Sequence, residues 1–281
     1  MKFLPLLAAT LALANAAVAQ QPAFNKERVS YTSGDLTLVG FVYKPDGAGP
    51  FPTLVWNHGS EKNPGGGPQF DSVAAIFVPA GYVVFAPTRR GHGSSEGVYI
   101  VDRLNVLRGA GDMSGRGRLM VRLLDTEQLD DQIAGLSYAK RLAFVDTNRL
   151  VVAGCSFGGI QTLLAAERGL GFKAAMPISP AAQTWDANAV MQDRLIAAVR
   201  KIDIPVLLIQ PPKDPSLAPA RVLGEEAKKA GKQAFTARIY PPTMPDRQQA
   251  HCFGGARGMH NWAAEAVKFF DEVLQHRKPA S

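Results

Sequence analysis

The chain has 281 residues, of which 46% are hydrophobic and 20% are charged. This profile is typical of a globular protein and excludes a disordered or fibrous chain, and the length suits one large α/β domain. The formal net charge is +7, but the basic residues are scattered and form no dense cluster. We therefore expect a solvated surface and no nucleic-acid partner.

The N-terminus resembles a leader segment. Lys2 precedes an apolar run over residues 3–14, and Ala17-Val18-Ala19 has the small-residue pattern of a signal-peptidase site. The apolar run is shorter than the ~20 residues that a membrane span needs, and no later segment is long enough. The sequence therefore predicts a signal peptide at 1–19, export to the periplasm or the exterior, and a single mature domain at 20–281 without stable membrane insertion.

The mature chain begins with a hairpin pattern and continues as alternating strands and helices. Apolar and polar residues alternate at 28–31 and 36–43, on either side of a Ser-Gly-Asp turn. Beyond the hairpin, short apolar runs alternate with helical stretches, which predicts a mostly parallel sheet with helices on both faces. The predicted strands are 52–56, 81–87, 151–153, 173–179, 204–210 and 234–240, and the predicted helices are 70–79, 160–166, 190–201, 220–230, 262–274 and one that begins near 125.

The stretch between Gly97 and Arg122 has no clean periodicity, because glycines and arginines interrupt it. We expect it to form a small cap or an irregular loop over the site. Asp125 with Gln128 three residues later resembles a capping box at the start of the next helix. Asn261 is the expected N-cap of the last helix.

A Gly-x-Ser-x-Gly motif follows the strand at 151–153 and leads into helix-like sequence. A serine held above the end of a strand needs a sharp turn, and the neighbouring Gly154 and Gly158 leave room for it. The free N–H groups of the following helix N-terminus favour developing negative charge. The pattern predicts that Ser156 is a catalytic nucleophile.

A serine nucleophile needs a base within hydrogen-bond reach and a third group that holds the base. Three histidines follow Ser156, and His276 lies in the charged tail. His251 and His260 both lie in the loop between the last strand and the last helix, so either can serve as the base on this criterion.

The candidate carboxylate and oxyanion donors are placed by the ends of strands. Asp214 follows the strand at 204–210, at the sheet edge where ligands of parallel sheets bind, and Asp246 is the alternative. The backbone N–H groups of Phe157, directly after the nucleophile, and Ser60, after an early strand, are expected to form the oxyanion hole.

The order Ser156, Asp214, His251, with His58-Gly59-Ser60 after an early strand and Arg90-Gly91-His92-Gly93 after the next, resembles the α/β-hydrolase fold and its dienelactone hydrolase group. In that group a small residue and Phe commonly follow the histidine, as after His251 here, which favours His251 over His260. The typical nucleophile of the group is cysteine, so Ser156 makes the chain more similar to the serine esterases of the superfamily.

The two cysteines flank the predicted catalytic residues. Cys155 precedes Ser156 and Cys252 follows His251. This arrangement resembles the tannase and feruloyl esterase group, in which a disulfide joins the residues beside the catalytic serine and histidine. The resemblance implies a Cys155–Cys252 disulfide, and two buried free thiols are the alternative.

These features predict an exported serine hydrolase that cleaves a small carboxylic ester through an acyl-enzyme. A peptidase or amidase with the same triad, a non-catalytic binding module on the same fold, and an enzyme with Cys155 as nucleophile are the alternatives. The histidines and cysteines lack metal-site spacings, so neither a metal nor a cofactor is expected. The sequence leaves open the acyl and alcohol groups, and whether the chain is a monomer or a homodimer.

Overall fold

A computed structural model describes residues 24–66, 68–240 and 251–275. The predicted signal peptide at 1–19, Asp246 and His276 lie outside these residues. One eight-stranded sheet forms the centre of the molecule, in the order β1-β2-β4-β3-β5-β6-β7-β8. The strands are β1 (Asn25–Ser33), β2 (Leu36–Lys44), β3 (Phe51–Asn57), β4 (Val83–Thr88), β5 (Val145–Cys155), β6 (Phe172–Ile178), β7 (Val206–Gln210) and β8 (Phe235–Ile239).

The sheet is antiparallel at its N-terminal edge and parallel elsewhere. β1 and β2 form a hairpin that closes at the pair Ser33 and Leu36, and β2 also runs antiparallel to β4. From β4 through β3 to β8 all neighbours are parallel. The predicted mostly parallel sheet with an antiparallel hairpin is therefore confirmed. The carboxyl ends of the parallel strands meet at one edge, where a site can form.

Helices cover both faces of the sheet. The helices are α1 (Gln69–Phe77), α2 (Ile100–Gly109), α3 (Met113–Asp125), α4 (Glu127–Ala139), α5 (Phe157–Glu167), α6 (Ala189–Lys201), α7 (Ala218–Lys229) and α8 (Ala263–Leu274). Residues of α1 and α8 pack in one core, and those of α2 to α7 pack in the other. Successive side chains of β3 point to opposite faces of the sheet, so Val55 belongs to one core while Leu54 and Trp56 belong to the other.

Two helix starts differ from the sequence prediction. Asp125 does not begin a helix: it ends α3, and Arg194 donates to its two carboxylate oxygens at 2.9 and 2.8 Å. Thr126 is the residue at the N-cap of α4, without a side-chain cap bond. Asn261 does not cap α8, because Trp262 occupies the N-cap and the Asn261 amide donates to the carbonyl of Gly258 at 2.9 Å.

The stretch 97–122 is mostly helical, since it contributes α2 and most of α3. The carboxylate of Asp112 caps α3 by accepting from the N–H of Gly115 at 2.7 Å. Throughout the ranges described, every helix is too short or too polar to cross a membrane.

Candidate active site

Ser156 lies at the sharp turn between β5 and α5, and its backbone has φ 59° and ψ −117°. A positive φ is strained for a residue with a side chain, and such strain is concentrated at functional sites. The neighbouring glycines permit the turn because β3 passes close by. A Cβ on Gly154 would lie 2.5 Å from the carbonyl oxygen of Asn57, and a Cβ on Gly158 would come closer still to that atom.

The residue after Ser156 begins α5 and presents a free backbone donor. The N–H of Ser156 itself is used, because it donates to the carbonyl of Ile178 at 3.0 Å. The N–H of Phe157 lies in the first turn of the helix, where intrahelical partners are lacking. The N-terminus of α5 thus offers an N–H group and a positive partial charge beside the serine hydroxyl.

His251 and Asp214 are in direct contact. Nδ1 of His251 lies 2.6 Å from Oδ1 of Asp214, and Oδ2 of Asp214 accepts from the side-chain amide of Gln210 at 2.8 Å. Asp214 is buried, so this contact fixes the imidazole with its Nδ1–H toward the carboxylate. Nε2 of His251 is buried and has no hydrogen-bond partner among the described residues, which leaves its lone pair available for a proton.

A disulfide joins Cys155 to Cys252, with a Cα–Cα distance of 5.9 Å, as predicted. It connects the residue before Ser156 to the residue after His251. The turn at Ser156, called the elbow, and the segment His251–Asn261, called the histidine loop, are thus covalently tied. The loop is turned sharply, because Cys252 and Phe253 have φ values of 54° and 57°. The hydroxyl of Ser179 accepts from the N–H of Cys252 at 3.3 Å and braces the same turn.

The turn after β3 is organised by a buried arginine. The Arg89 guanidinium donates to the carbonyl oxygens of His58 at 2.9 Å and Gly59 at 2.7 Å, and its Nε donates to Gln128 at 3.1 Å. In a trans peptide the C=O and the following N–H point in opposite directions. Because the Gly59 carbonyl faces Arg89, the N–H of Ser60 points away from Arg89.

This turn packs directly against the elbow. A Cβ placed on Gly59 would lie 3.6 Å from Cβ of Ser156 and 3.5 Å from the carbonyl oxygen of Cys155. The two expected donors, Ser60 N–H and Phe157 N–H, therefore belong to segments that flank Ser156. The phenol of Tyr99 donates to the carbonyl of Ser60 and holds the end of the turn.

His58 and His92 are buried beneath the turn and are neutral. Burial lowers the pKa of His58 well below its usual range, with a further lowering by the nearby Arg89 charge. Burial likewise lowers the pKa of His92 to about 3. The ring of His58 accepts from the N–H of Arg89 at Nε2, at 3.2 Å, so its Nδ1–H faces the Gly59 carbonyl at 2.9 Å. The His58 ring thus supports the turn, and the His92 ring, whose Nδ1 lies 3.0 Å from the carbonyl of Arg90, packs against the His58 ring with ring centres 4.6 Å apart.

The other candidate histidine does not join this arrangement. His260 is exposed, and its Nδ1 lies 3.0 Å from the carbonyl of Arg257, a local contact within its own loop. Among the described residues, His251 thus contacts the carboxylate of Asp214, and the disulfide between the neighbouring cysteines links it to the segment of Ser156.

Several residues that shape the site were not singled out from the sequence. Gln210 holds the second oxygen of Asp214, and a polar residue at the end of a buried apolar strand was a usable signal. Ser179, Tyr99 and Gln128 act through contacts between distant segments, which no local pattern indicates. The Glu61 carboxylate and the Ser156 side chain both lie close to Gly59 in the turn after β3.

An open cleft of about 550 Å³ borders Asp214 and is lined by charged side chains of Asp186, Lys213 and Arg221. Within the described ranges, no three His, Cys, Asp or Glu side chains are gathered so that they could hold a metal ion.

Comparison of the sequence with known families matches residues 107–194 to the prolyl oligopeptidase family. This match covers about a third of the chain, including Ser156 but neither Asp214 nor His251. The quorum-quenching protein AidA of Acinetobacter baumannii is 30% identical over 142 residues, which are 49% of this chain and 38% of AidA.

Solved structures with the same architecture cover nearly all of the described chain. An acylaminoacyl peptidase of Pyrococcus horikoshii superposes with a TM-score of 0.66 at 19% identity, covering 92% of this chain and 43% of the peptidase. Est1E of Butyrivibrio proteoclasticus, solved with ferulic acid bound, superposes with a TM-score of 0.65 at 19% identity, covering 88% of this chain and 100% of Est1E. The chain thus has the α/β-hydrolase fold, as predicted, and spans about two fifths of AidA and of the peptidase.

Proposed function

We propose that this protein is an exported serine hydrolase that cleaves small carboxylic esters, with Ser156 as nucleophile, His251 as base and Asp214 as the group that orients the base. The observation that carries the proposal is the 2.6 Å contact between His251 and Asp214 on a loop that a disulfide ties to the residue before Ser156. The strained backbone of Ser156 adds support, because elbow nucleophiles have this geometry.

In the proposed reaction, Nε2 of His251 takes the hydroxyl proton as Oγ of Ser156 attacks the ester carbonyl carbon. Negative charge moves to the carbonyl oxygen, where the N–H groups of Ser60 and Phe157 donate hydrogen bonds. The imidazolium, stabilised by Asp214, then gives its proton to the leaving alcohol oxygen, and the acyl-enzyme remains. Water, deprotonated by the same His251, attacks the acyl carbon and releases the acid and the serine.

Ester cleavage is favoured over amide cleavage by the extent of the structural matches. Est1E, which binds ferulic acid, is covered over its whole length, whereas the acylaminoacyl peptidase is covered over 43%. The match to the prolyl oligopeptidase family supports amide cleavage as the second candidate. Both reactions use the same triad and oxyanion donors.

Export is proposed from two features of the chain. Residues 1–19 have the pattern of a signal peptide, and the remaining 20–281 would form one domain in the periplasm or outside the cell. The Cys155–Cys252 disulfide is consistent with this location, because disulfides persist in oxidising compartments.

The proposal is tested by steady-state hydrolysis of p-nitrophenyl esters and the matching p-nitroanilides. We expect ester turnover that falls by roughly 10⁴-fold or more in Ser156→Ala, because that variant lacks the nucleophile. Circular dichroism should show that the variant remains folded. Anilide turnover equal to or above ester turnover would favour the peptidase, and full ester turnover in Ser156→Ala would exclude the mechanism.

A further inference from the structure

Glu61 places a carboxylate beside the proposed nucleophile. Its Oε2 lies 2.6 Å from the position that a Cβ on Gly59 would occupy, and the same position lies 3.6 Å from Cβ of Ser156. The carboxylate and the serine thus approach Gly59 together. Residue 61 as a whole is exposed to solvent, so a bound substrate can reach it, while protein atoms crowd around its carboxyl group.

The carboxylate of Glu61 forms no ion pair with any residue that the structure describes. Arg89 is close enough to influence it, but that guanidinium is fully buried and donates to the carbonyls of His58 and Gly59. His251 is also nearby, but its Nδ1 contacts Asp214 and its Nε2 has no hydrogen-bond partner among the described residues.

The surroundings of Glu61 disfavour an isolated negative charge. Burial by neighbouring protein atoms raises the pKa of its carboxyl, while backbone N–H groups of Glu61 and Gly59, together with Arg89 and His251, act in the opposite direction. Tyr99 lies near the same turn but carries no positive charge that could pair with Glu61. The ammonium of Lys62 lies over the Tyr99 ring, 5.6 Å from its centre. A partly desolvated carboxylate without an ion-pair partner is stabilised by a cation.

From this position and environment, and on the basis of the proposed hydrolase activity, we propose that Glu61 determines substrate specificity by binding a cationic group of the ester. An ammonium group close to the scissile carbonyl would pair with the carboxylate. It would also offset the repulsion between Glu61 and the negative charge that develops on the carbonyl oxygen. A neutral ester of equal shape leaves both effects uncompensated, and an anionic one adds repulsion.

Isosteric substrate pairs test the proposal. The first pair is p-nitrophenyl 4-(trimethylammonio)butanoate and p-nitrophenyl 5,5-dimethylhexanoate, in which a carbon replaces the quaternary nitrogen. The second pair is choline butyrate and 3,3-dimethylbutyl butyrate, which places the cation in the alcohol. We expect the wild-type protein to have about 10-fold higher kcat/KM for the cationic member of at least one pair, and the preference to weaken with added salt.

Three variants assign the preference to Glu61. Glu61→Gln should reduce the cationic preference to near one and raise the turnover of the neutral ester, because the repulsion between Glu61 and the developing oxyanion is removed. Glu61→Asp, which keeps the charge, should retain a preference for the cation. Glu225→Gln, an exposed acid on α7, removes the same charge elsewhere and should leave the selectivity unchanged.

The outcomes separate this inference from the proposed function. Equal turnover of both members of both pairs, or a cationic preference that persists in Glu61→Gln, would overturn the role of Glu61 while the hydrolase assignment stands. If no Ser156-dependent turnover of any of the four esters is found, the proposed function fails, and the role of Glu61 fails with it.

Discussion

The two sides of the site are held in place by different interactions. On one side, a disulfide, the Asp214 carboxylate and the Ser179 hydroxyl hold the histidine loop against the elbow. On the other side, the turn that carries Ser60 is held by a buried guanidinium that donates to its carbonyls. The histidine side depends on a covalent bond, whereas the oxyanion side depends on a buried charge.

This difference follows from the local structure of each segment. The histidine loop departs from the regular fold, and successive residues Cys252 and Phe253 adopt a left-handed conformation. The disulfide fixes this left-handed turn to the end of β5, where Cys155 lies. The turn after β3 extends directly from a central strand, and side chains hold its carbonyls: Arg89, which follows β4, and the phenol of Tyr99. We therefore expect the two sides to respond to different perturbations.

The largest effect is expected from Asp214→Asn, which tests the histidine side. An amide N–H facing Nδ1 favours the tautomer with its proton on Nε2, so the imidazole can no longer accept from Ser156. We expect kcat to fall by roughly 10⁴-fold with little change in melting temperature. Asp193→Asn, an exposed acid on α6, is the matched control and should keep full activity. A loss below tenfold in Asp214→Asn would indicate that another group orients the base.

Arg89→Met tests the oxyanion side. Removing the guanidinium leaves the carbonyls of His58 and Gly59 without their buried donor and frees the Ser60 peptide to rotate. We expect kcat to fall by about 10²- to 10³-fold, the size of a lost oxyanion donor, with a smaller change in KM. Thermal unfolding should also shift to lower temperature.

Arg90→Met provides the control for this loss of stability. Arg90 lies next to Arg89 in the same loop. Its guanidinium donates to the carboxylate of Asp131 in α4 at 2.7 and 2.9 Å, and not to the carbonyls of the turn. The Arg90→Met variant should have a lower melting temperature, with kcat largely retained. Equal falls in kcat for both variants would mean that Arg89 acts only through stability.

Removing the disulfide should affect the histidine side alone. In a Cys155→Ala/Cys252→Ala double variant we expect the free energy of unfolding to fall by at most ~4–5 kcal/mol, from the chain entropy of a 97-residue separation. A less precisely held His251 should lower kcat by about 10- to 100-fold. Excess dithiothreitol should bring the wild-type protein to the level of the double variant and leave that variant unchanged. Full activity of the reduced protein would remove the distinction between the two sides.

The smallest effect concerns acid stability of the oxyanion side. His92 has a pKa lowered to about 3 in the folded protein, against about 6.5 in an unfolded chain. Between these values the unfolded state binds more protons, so stability is full above about pH 6.5 and declines as the pH falls toward about 3. His92→Gln should flatten the dependence of melting temperature on pH in this window. Exposed His260→Gln should leave it unchanged, and identical slopes for all three proteins would contradict the assignment.

The sequence predicted the scaffold well because periodic patterns are local. Apolar runs and helical stretches located the strands and most helices, and the Gly-x-Ser-x-Gly motif located the strained Ser156. Helix ends were less predictable. Asp125 and Asn261 have side chains that are typical of N-caps. Asp125 instead accepts from the distant Arg194, and Asn261 donates to the nearby carbonyl of Gly258.

The support of the oxyanion turn was beyond prediction from sequence. Arg89 and Gly59 lie 30 residues apart and meet because β4 is the neighbour of β3 in the sheet. Glu61 was also missed, because only the folded turn shows that its carboxylate shares the space beside Gly59 with Ser156. The position of the histidine loop was easier to predict from sequence, because the two cysteines next to Ser156 and His251 indicated that these residues lie near each other.

The proposed mechanism requires most directly that Ser156 is an activated nucleophile. Labelling with a fluorophosphonate probe, followed by mass spectrometry of the digested protein, measures this without knowledge of the natural substrate. We predict one phosphonate on Ser156, absent in Ser156→Ala and formed far more slowly in His251→Ala. A folded wild-type protein that takes up no label, or takes it up at another residue, would contradict the proposed mechanism and favour a non-catalytic role for the fold.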